Sequence, residues 1–127
     1  MIRNKKGFTL VELLIVMIIV GVLAAIAAPM MQSNVNRAKR SEAVAALGAI
    51  RTAARSYYVE YGVYPSSITN LNSKGLVNQS DLNGKYYNYS NYRANSAGNV
   101  YAYTPTNAGV TGATIIMDNN GTITSGY

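Results

Sequence analysis

A continuous apolar run over residues 8–31 constrains the fold of this chain more than any other feature. It reads FTLVELLIVMIIVGVLAAIAAPMM, and Glu12 is its one charged residue in 24. As an α-helix, a run of this length rises ~36 Å, which is enough to cross a bilayer core of ~30 Å. The run therefore predicts a single membrane-spanning helix close to the N-terminus.

Basic residues precede the run at Arg3, Lys5 and Lys6. Because Lys and Arg favour the cytoplasmic side of a membrane, the N-terminal end is predicted to lie in the cytoplasm. The 96 residues after Met31 would then face outward. The expected topology is a single-pass inner-membrane anchor with an exported head.

A secretory signal peptide is the alternative interpretation, since Ala24, Ala25, Ala27 and Ala28 offer cleavage sites. The run is, however, longer than the usual apolar region of ~7–15 residues in a signal peptide. Glu12 also lies near its start, where a carboxylate costs free energy unless it has a partner. A retained helix, in which Glu12 has a function, is therefore favoured.

The residues at the start of the run resemble a known processing signal. Residues 6–14 read KGFTLVELL, which is similar to the class III signal of type IV pilins and of type II secretion pseudopilins. The resemblance implies that a prepilin peptidase cuts after Gly7 and methylates the new amino terminus at Phe8. It covers Lys5 to about Pro29 and extends more loosely to Tyr61.

The same resemblance implies a role in assembly for Glu12. In the family, the carboxylate at this position neutralises the amine of a neighbouring subunit, here the amine of Phe8. A buried carboxylate and a buried ammonium are each costly alone and tolerable together. A contact inside one subunit, one helical turn apart, remains the alternative.

Gly21 and Pro29 are the two helix breakers within the run. Pro29 lacks an N–H and its ring clashes with the preceding turn, so a kink or local opening is expected there. Gly21 lowers helix propensity by roughly 1 kcal/mol relative to Ala. The resemblance implies that the segment between them can unwind in a filament; a simple bend is the alternative.

The helix is predicted to continue as an amphipathic segment and to end before Gly62, with Pro65 just beyond. Its apolar stripe has spacings of three and four residues and consists of Leu47, Ile50, Ala54, Tyr57 and Tyr61.

Composition after Gly62 predicts a short helix at 66–74 and strands at 86–92, 100–104, 114–118 and 122–125. Asn119-Asn120-Gly121 predicts a tight hairpin turn between the last two strands. The fold class is therefore α+β, a long N-terminal helix packed against a small antiparallel sheet. The predicted parts are a leader at 1–7, a transmembrane or fibre-core helix at 8–31, and an exported head at 32–127.

The residue inventory argues against catalysis. The chain has no Cys and no His, so thiol nucleophiles, imidazole bases and common zinc sites are excluded. Beyond Tyr61 the only carboxylates are Asp81 and Asp118. The missing cysteines also depart from the many type IV pilins that close their C-terminal loop with a disulfide.

No cofactor is expected, with one candidate exception. The sequence Asp118-Asn119-Asn120-Gly121 offers hard oxygen ligands but fails the EF-hand spacing. Major pseudopilins bind calcium in this part of the head, so the resemblance makes Asp118 a candidate calcium ligand. An ordinary turn is the favoured interpretation.

Eleven tyrosines are the other unusual feature of the composition, six of them at 86–103. Half-buried strand residues are the simplest interpretation. An adhesive surface is one alternative, and a surface that captures single-stranded DNA, with contributions from Lys and Arg, is another.

The resulting hypothesis is a structural subunit of a type IV pilus-like filament. Its implied partners are copies of itself, the membrane, a prepilin peptidase/methylase, an assembly ATPase and an inner-membrane platform protein. The assembled filament would lie at the cell surface or in the periplasm. A major pseudopilin of a type II secretion system and a DNA-capturing competence pilin, with nucleic acid as a partner, are the alternatives.

Processing at the Gly7–Phe8 bond gives the first prediction. The purified subunit should begin at Phe8 and carry an N-methyl group, which intact-protein mass spectrometry would detect. A mature chain beginning at Ala28 or Pro29 would instead identify a secretory signal peptide and contradict the filament hypothesis.

Overall fold

The computed structural model describes residues 6–104 and 114–124. The chain divides into two compact units, residues 1–35 and 36–127. Helix α1, Leu10–Tyr61, begins in the first unit and ends in the second. The leader residues before Lys6 lie outside the described residues, and so does Ser125 of the last predicted strand.

The first unit is an apolar helical segment with no core of its own. One 18-residue window of α1 has a mean hydropathy of 3.0 and none of it is buried, so α1 is long and apolar enough to cross a membrane. The helix is continuous through Gly21 and Pro29. The local opening expected at Pro29 therefore does not interrupt it, because the turns on both sides keep their hydrogen bonds when proline removes one.

The second unit has a single hydrophobic core to which α1 contributes one face. Leu47, Ile50 and Ala54 are buried as the predicted stripe requires. Tyr57 is half-buried at the edge of this core, whereas Tyr61 is exposed and packs its ring on Tyr57 at a centroid distance of 4.4 Å. The buried part of the predicted stripe thus ends at Tyr57, and Tyr61 shares the same face of α1 outside the core.

Glycines end both helices where the sequence predicted. The N–H of Gly62 donates to the carbonyl of Tyr58 at 2.8 Å, and Gly62 has a φ of +73°. Helix α2, Ile68–Ser73, falls inside the predicted 66–74 segment, and Gly75 follows it with a φ of +70°. A left-handed residue at this position is most easily supplied by glycine, which has no Cβ.

Four short antiparallel strands form a meander in the order β1-β2-β3-β4. They are β1, Tyr92–Ala94; β2, Val100–Tyr103; β3, Thr114–Met117; and β4, Ile123–Thr124. Alternate residues are buried in β1, β2 and β3, which is the pattern of a sheet with one face on a core. The α+β prediction is confirmed.

The turn between β3 and β4 is also as predicted. The N–H of Gly121 donates to the carbonyl of Asp118 at 3.0 Å, and Gly121 has a φ of +93°. The side chain of Asp118 accepts the N–H groups of Asn120 and Thr122 at 2.9 and 2.8 Å.

The predicted strand at 86–92 is wrong, and Glu42 of α1 is the reason. Its carboxylate accepts the backbone N–H groups of Lys85, Tyr86 and Tyr87 at 3.1, 2.9 and 2.8 Å. Backbone donors that bind a side chain are not available to a strand ladder. The segment instead forms a 3₁₀ helix, Tyr89–Asn91, and the sheet begins only at Tyr92.

The glycine that precedes these donors makes the contact with Glu42 possible. A Cβ added to Gly84 would lie 2.6 Å from the Cδ of Glu42 and still closer to one carboxylate oxygen. Beside this contact the rings of Tyr87 and Tyr92 are fully buried, with centroids 5.9 Å apart. Burial, together with the charge of Glu42, raises the pKa of Tyr92, so ionisation at high pH opposes folding.

The head should fold without the membrane segment, because the whole core lies in the second unit. A variant that begins at Gln32 should be soluble, with helical and strand signals by circular dichroism and a cooperative thermal transition. A Gln32 variant that is unfolded or insoluble would contradict an independent core.

Removal of the Glu42 carboxylate should weaken the head. Glu42→Ala leaves three backbone donors without their acceptor and should lower the free energy of unfolding by about 3 kcal/mol. Gly84→Ala should act in the same direction, since its methyl group displaces the carboxylate. Urea unfolding of the soluble head would measure both, with the exposed Glu60→Ala as the control expected to change stability by less than ~0.5 kcal/mol. Equal losses in Glu42→Ala and Glu60→Ala would contradict this role.

Candidate functional site

The N-terminus of α1 is closed by a reciprocal contact between Thr9 and Glu12. The Oε2 atom of Glu12 accepts the backbone N–H of Thr9 at 2.8 Å and its hydroxyl at 3.0 Å. In return the N–H of Glu12 donates to Oγ1 of Thr9 at 3.2 Å. This is a capping box, which satisfies backbone donors that a helix start leaves unpaired.

The capping contact orients the Glu12 carboxylate through one of its two oxygens. Both bonds fall on Oε2, and across residues 6–104 and 114–124 the structure gives Oε1 no donor. The surrounding surface is apolar and lines a shallow groove of ≈ 480 Å³ formed by Phe8, Leu13, Ile15 and Val16. An oriented carboxylate oxygen at an apolar surface is suited to one further cationic donor.

The predicted processing residues lie just before the helix, where the chain is accessible. Phe8 is 87% exposed, and Gly7 and Phe8 have no regular secondary structure. A Cβ at Gly7 would meet no atom within 4 Å. Packing within the described chain therefore does not require glycine at this position.

The other two predicted assembly residues are not brought together with Glu12. Gly21 and Pro29 lie further along the same helix, Gly21 about 14 Å from Glu12 at ~1.5 Å per residue. A Cβ at Gly21 would also meet nothing within 4 Å. These residues thus share an exposed helix and form no common pocket.

Thr9 is a helix-capping residue that the sequence analysis did not single out. The signal was present as Thr9-Leu10-Val11-Glu12, since a Ser or Thr three residues before a Glu at the start of an apolar run is the pattern of a capping box. The class III signal occupies the same residues, so the capping pattern was read only as part of that signal.

The candidate calcium ligand Asp118 lies in the β3–β4 turn with one oxygen committed to its own backbone. Arg51 of α1 lies against this turn: its Nε donates to the carbonyl of Asn119 at 3.0 Å, and a Cβ at Gly121 would be 3.2 Å from its Cζ. Within the described residues no three His, Cys, Asp or Glu side chains group as metal ligands.

The tyrosines of residues 86–103 divide between the core and its edge. Tyr87 and Tyr92 are buried, Tyr86, Tyr89 and Tyr101 are half-buried, and Tyr103 is exposed. This distribution agrees with the interpretation of the cluster as core and edge residues of the head.

Comparison with known proteins shows which proteins this chain resembles. Residues 2–28 match the family model described as the prokaryotic N-terminal methylation motif. The chain is 44% identical over 82 residues to a fimbrial protein of Neisseria meningitidis and 43% identical over 82 residues to the type IV major pilin protein PilE of Neisseria gonorrhoeae. It is 45% identical over 67 residues to a fimbrial protein of Pseudomonas aeruginosa.

These matches cover 65%, 65% and 53% of this chain, and 46%, 47% and 44% of the respective relatives. The chain thus spans about half the length of the curated relatives that it matches. Over part of its length the chain is therefore similar to proteins named as fimbrial proteins and type IV major pilins, and it carries the N-terminal methylation motif.

Proposed function

We propose that this chain is the structural subunit of a type IV pilus-like filament, polymerised through its N-terminal helix. The observation that carries the proposal is the exposed apolar surface of α1, which begins with the Thr9–Glu12 capping box inside a methylation motif. An apolar surface of this size must be covered by lipid or by other chains. Lipid covers it before assembly, and copies of the same helix cover it afterwards.

The subunit enters the inner membrane once, with its N-terminus in the cytoplasm and its head outside. A prepilin peptidase cuts after Gly7 and methylates Phe8. This removes the cations of the leader and creates an α-amine with a reference pKa of ~7.7–8. An assembly ATPase and an inner-membrane platform protein then drive the transfer of the helix from lipid to the filament, at the cell surface or in the periplasm.

The charge of Glu12 makes the transfer of α1 from lipid to the filament selective for a neighbouring subunit that neutralises this charge. Its Oε2 stays in the capping box while Oε1 accepts the Phe8 ammonium of a neighbouring subunit. In the dry filament core each charge would be costly alone, and the pair makes both tolerable. Gly21 and Pro29 delimit the segment of α1 that we propose to extend when the filament is formed or stretched.

The relatives favour the pilus subunit over the two alternatives within the family. They are named as fimbrial proteins and type IV major pilins. A secretion pseudopilin and a DNA-capturing competence pilin would use the same helix and the same processing site.

The Glu12 side chain gives the decisive test. Glu12→Gln keeps the shape and the capping capacity, since Gln also serves in a capping box, but it removes the charge. We expect membrane insertion to be unchanged and filament assembly to fail, because loss of one partner from a buried pair costs ~3–5 kcal/mol. The measurement is the yield of sheared filaments relative to subunit in the membrane fraction.

Thr9→Val is the matched control, since it removes the hydroxyl contacts and keeps the carboxylate and the Thr9 N–H. It should assemble with a modest loss at most. If Glu12→Gln gave a normal filament yield and Thr9→Val did not, Glu12 would be a helix cap and the proposed pairing with Phe8 would be wrong.

A further inference from the structure

The end of α1 carries an apolar protrusion that the core of the head does not use. Five large hydrophobic side chains are exposed in the described part of the second unit, and four of them are Tyr58, Val59, Tyr61 and Val63. Val59 is 85% exposed and Val63 is 61% exposed. We name these four residues the Val59 surface. Exposed apolar side chains grouped at one end of a helix mark an interaction site more often than single scattered residues do.

The Val59 surface is held in place by the packing of its tyrosines. The ring of Tyr58 stacks on Tyr64 with a centroid distance of 4.6 Å, and Tyr61 packs on Tyr57 at 4.4 Å. Tyr64 in turn lies against the β1–β2 turn, where a Cβ at Gly98 would be 3.0 Å from its Cζ. A surface ordered in advance loses little conformational entropy on binding.

Cations flank this surface. Arg51 and Arg55 line a shallow groove together with Val59. The Nζ of Lys74 lies 4.9 Å from the ring centroid of Tyr61, and its hydrogen bond with the Tyr61 hydroxyl raises the pKa of Lys74. The three positive charges of Arg51, Arg55 and Lys74 therefore exceed the one negative charge of Glu60 nearby. A partner for this surface should be apolar at its centre and acidic at its rim.

A groove with these properties lies elsewhere on the same head. It has a volume of ≈ 430 Å³, within the range of binding clefts, and Leu76, Val77 and Leu82 form one side of it. Ala45, Ala46 and Ala49 of α1 line the other side. We name this depression the Leu76 groove.

The charged groups of the Leu76 groove are the carboxylates of Glu42 and Asp81. Glu42 is engaged by the backbone donors described above. Asp81 is exposed, and its two oxygens accept local bonds, from the Asn78 amide at 3.2 Å and the Ser80 hydroxyl at 3.5 Å. Asp81 therefore provides an accessible negative charge at the edge of an apolar depression.

We infer that the Val59 surface of one copy of this chain docks into the Leu76 groove of a second copy. Apolar side chains meet an apolar groove, and the flanking cations of the protrusion meet Asp81. The two surfaces have no residue in common, so the contact is heterologous and leaves a free protrusion and a free groove at the two ends. Repetition of such a contact gives an open helical array when it does not close into a ring. The inference rests on the proposed filament and names a contact between its heads.

Cysteine cross-linking in intact filaments tests this contact, since the natural chain has no cysteine. Val59→Cys and Asn78→Cys place one thiol on each of the two surfaces, and both positions are exposed. Mild oxidation of filaments of the double variant should give a ladder of disulfide-linked multimers on a non-reducing gel. The matched pair Val59→Cys with Thr69→Cys, also at exposed positions, should give no ladder.

The possible outcomes separate this inference from the proposed function. Filaments without a ladder, an equal ladder from the control pair, or cross-links to another protein would each overturn the head contact and leave the filament intact. Failure of the natural chain to form filaments would overturn both.

A second variant tests the energetic role of the protrusion. Val59 is almost fully exposed, so Val59→Asp should leave the thermal unfolding of the head unchanged. It should lower filament yield about tenfold, because a carboxylate would then face the apolar groove and Asp81. Combination with Asp81→Lys should restore part of the yield, whereas Thr69→Asp should have no effect. A normal yield from Val59→Asp alone would contradict the docking.

Discussion

The constraint on which this molecule depends is an apolar helical surface that the described part of the chain leaves exposed. Sixteen large hydrophobic side chains between Phe8 and Met31 are exposed. At about 1.5–3 kcal/mol for each buried side chain, their coverage is worth tens of kcal/mol. This exceeds the ~5–15 kcal/mol that stabilises a typical small domain. Lipid or other apolar helices would provide coverage of this kind.

Within that surface, the proposed pairing of Glu12 with a neighbouring subunit would give assembly its specificity. The capping box lets Glu12 lie at the start of an apolar helix and gives the N–H groups of Thr9 and Glu12 hydrogen-bond acceptors there. It also orients the carboxylate through Oε2, and Oε1 is the oxygen that we propose for the contact with a neighbouring subunit. Apolar contact alone would allow copies of the helix to slide along one another. A buried charge that needs its partner penalises every register in which that partner is missing.

The head uses a second carboxylate for a different purpose. Glu42 binds three consecutive N–H groups that are 43 to 45 residues away in the sequence, and so ties the segment before β1 to the helix. Glu12 and Glu42 thus place the same chemical group, a carboxylate, on the same helix. Glu12 makes a local contact and Glu42 a long-range one. The long-range contact lets a head without disulfides hold a segment that has little regular structure of its own.

Local patterns determined the elements of this fold. The apolar run, the stripe through Leu47 and Ile50, and the glycines at 62, 75 and 121 act over a few residues, so they predicted the helices, their ends and the last hairpin turn. The proposed processing site at Gly7 and Phe8 and the charge of Glu12 are local features in the same way. Propensity also favoured a strand at 86–92, and there the tertiary structure decided otherwise. The three donors bind Glu42, and Gly84 makes room for it; neither fact is visible in the composition of the segment. The same holds for the exposure of Tyr61 and for the Leu76 groove, because burial depends on which distant elements pack together, whereas sequence periodicity reports only which residues share a face.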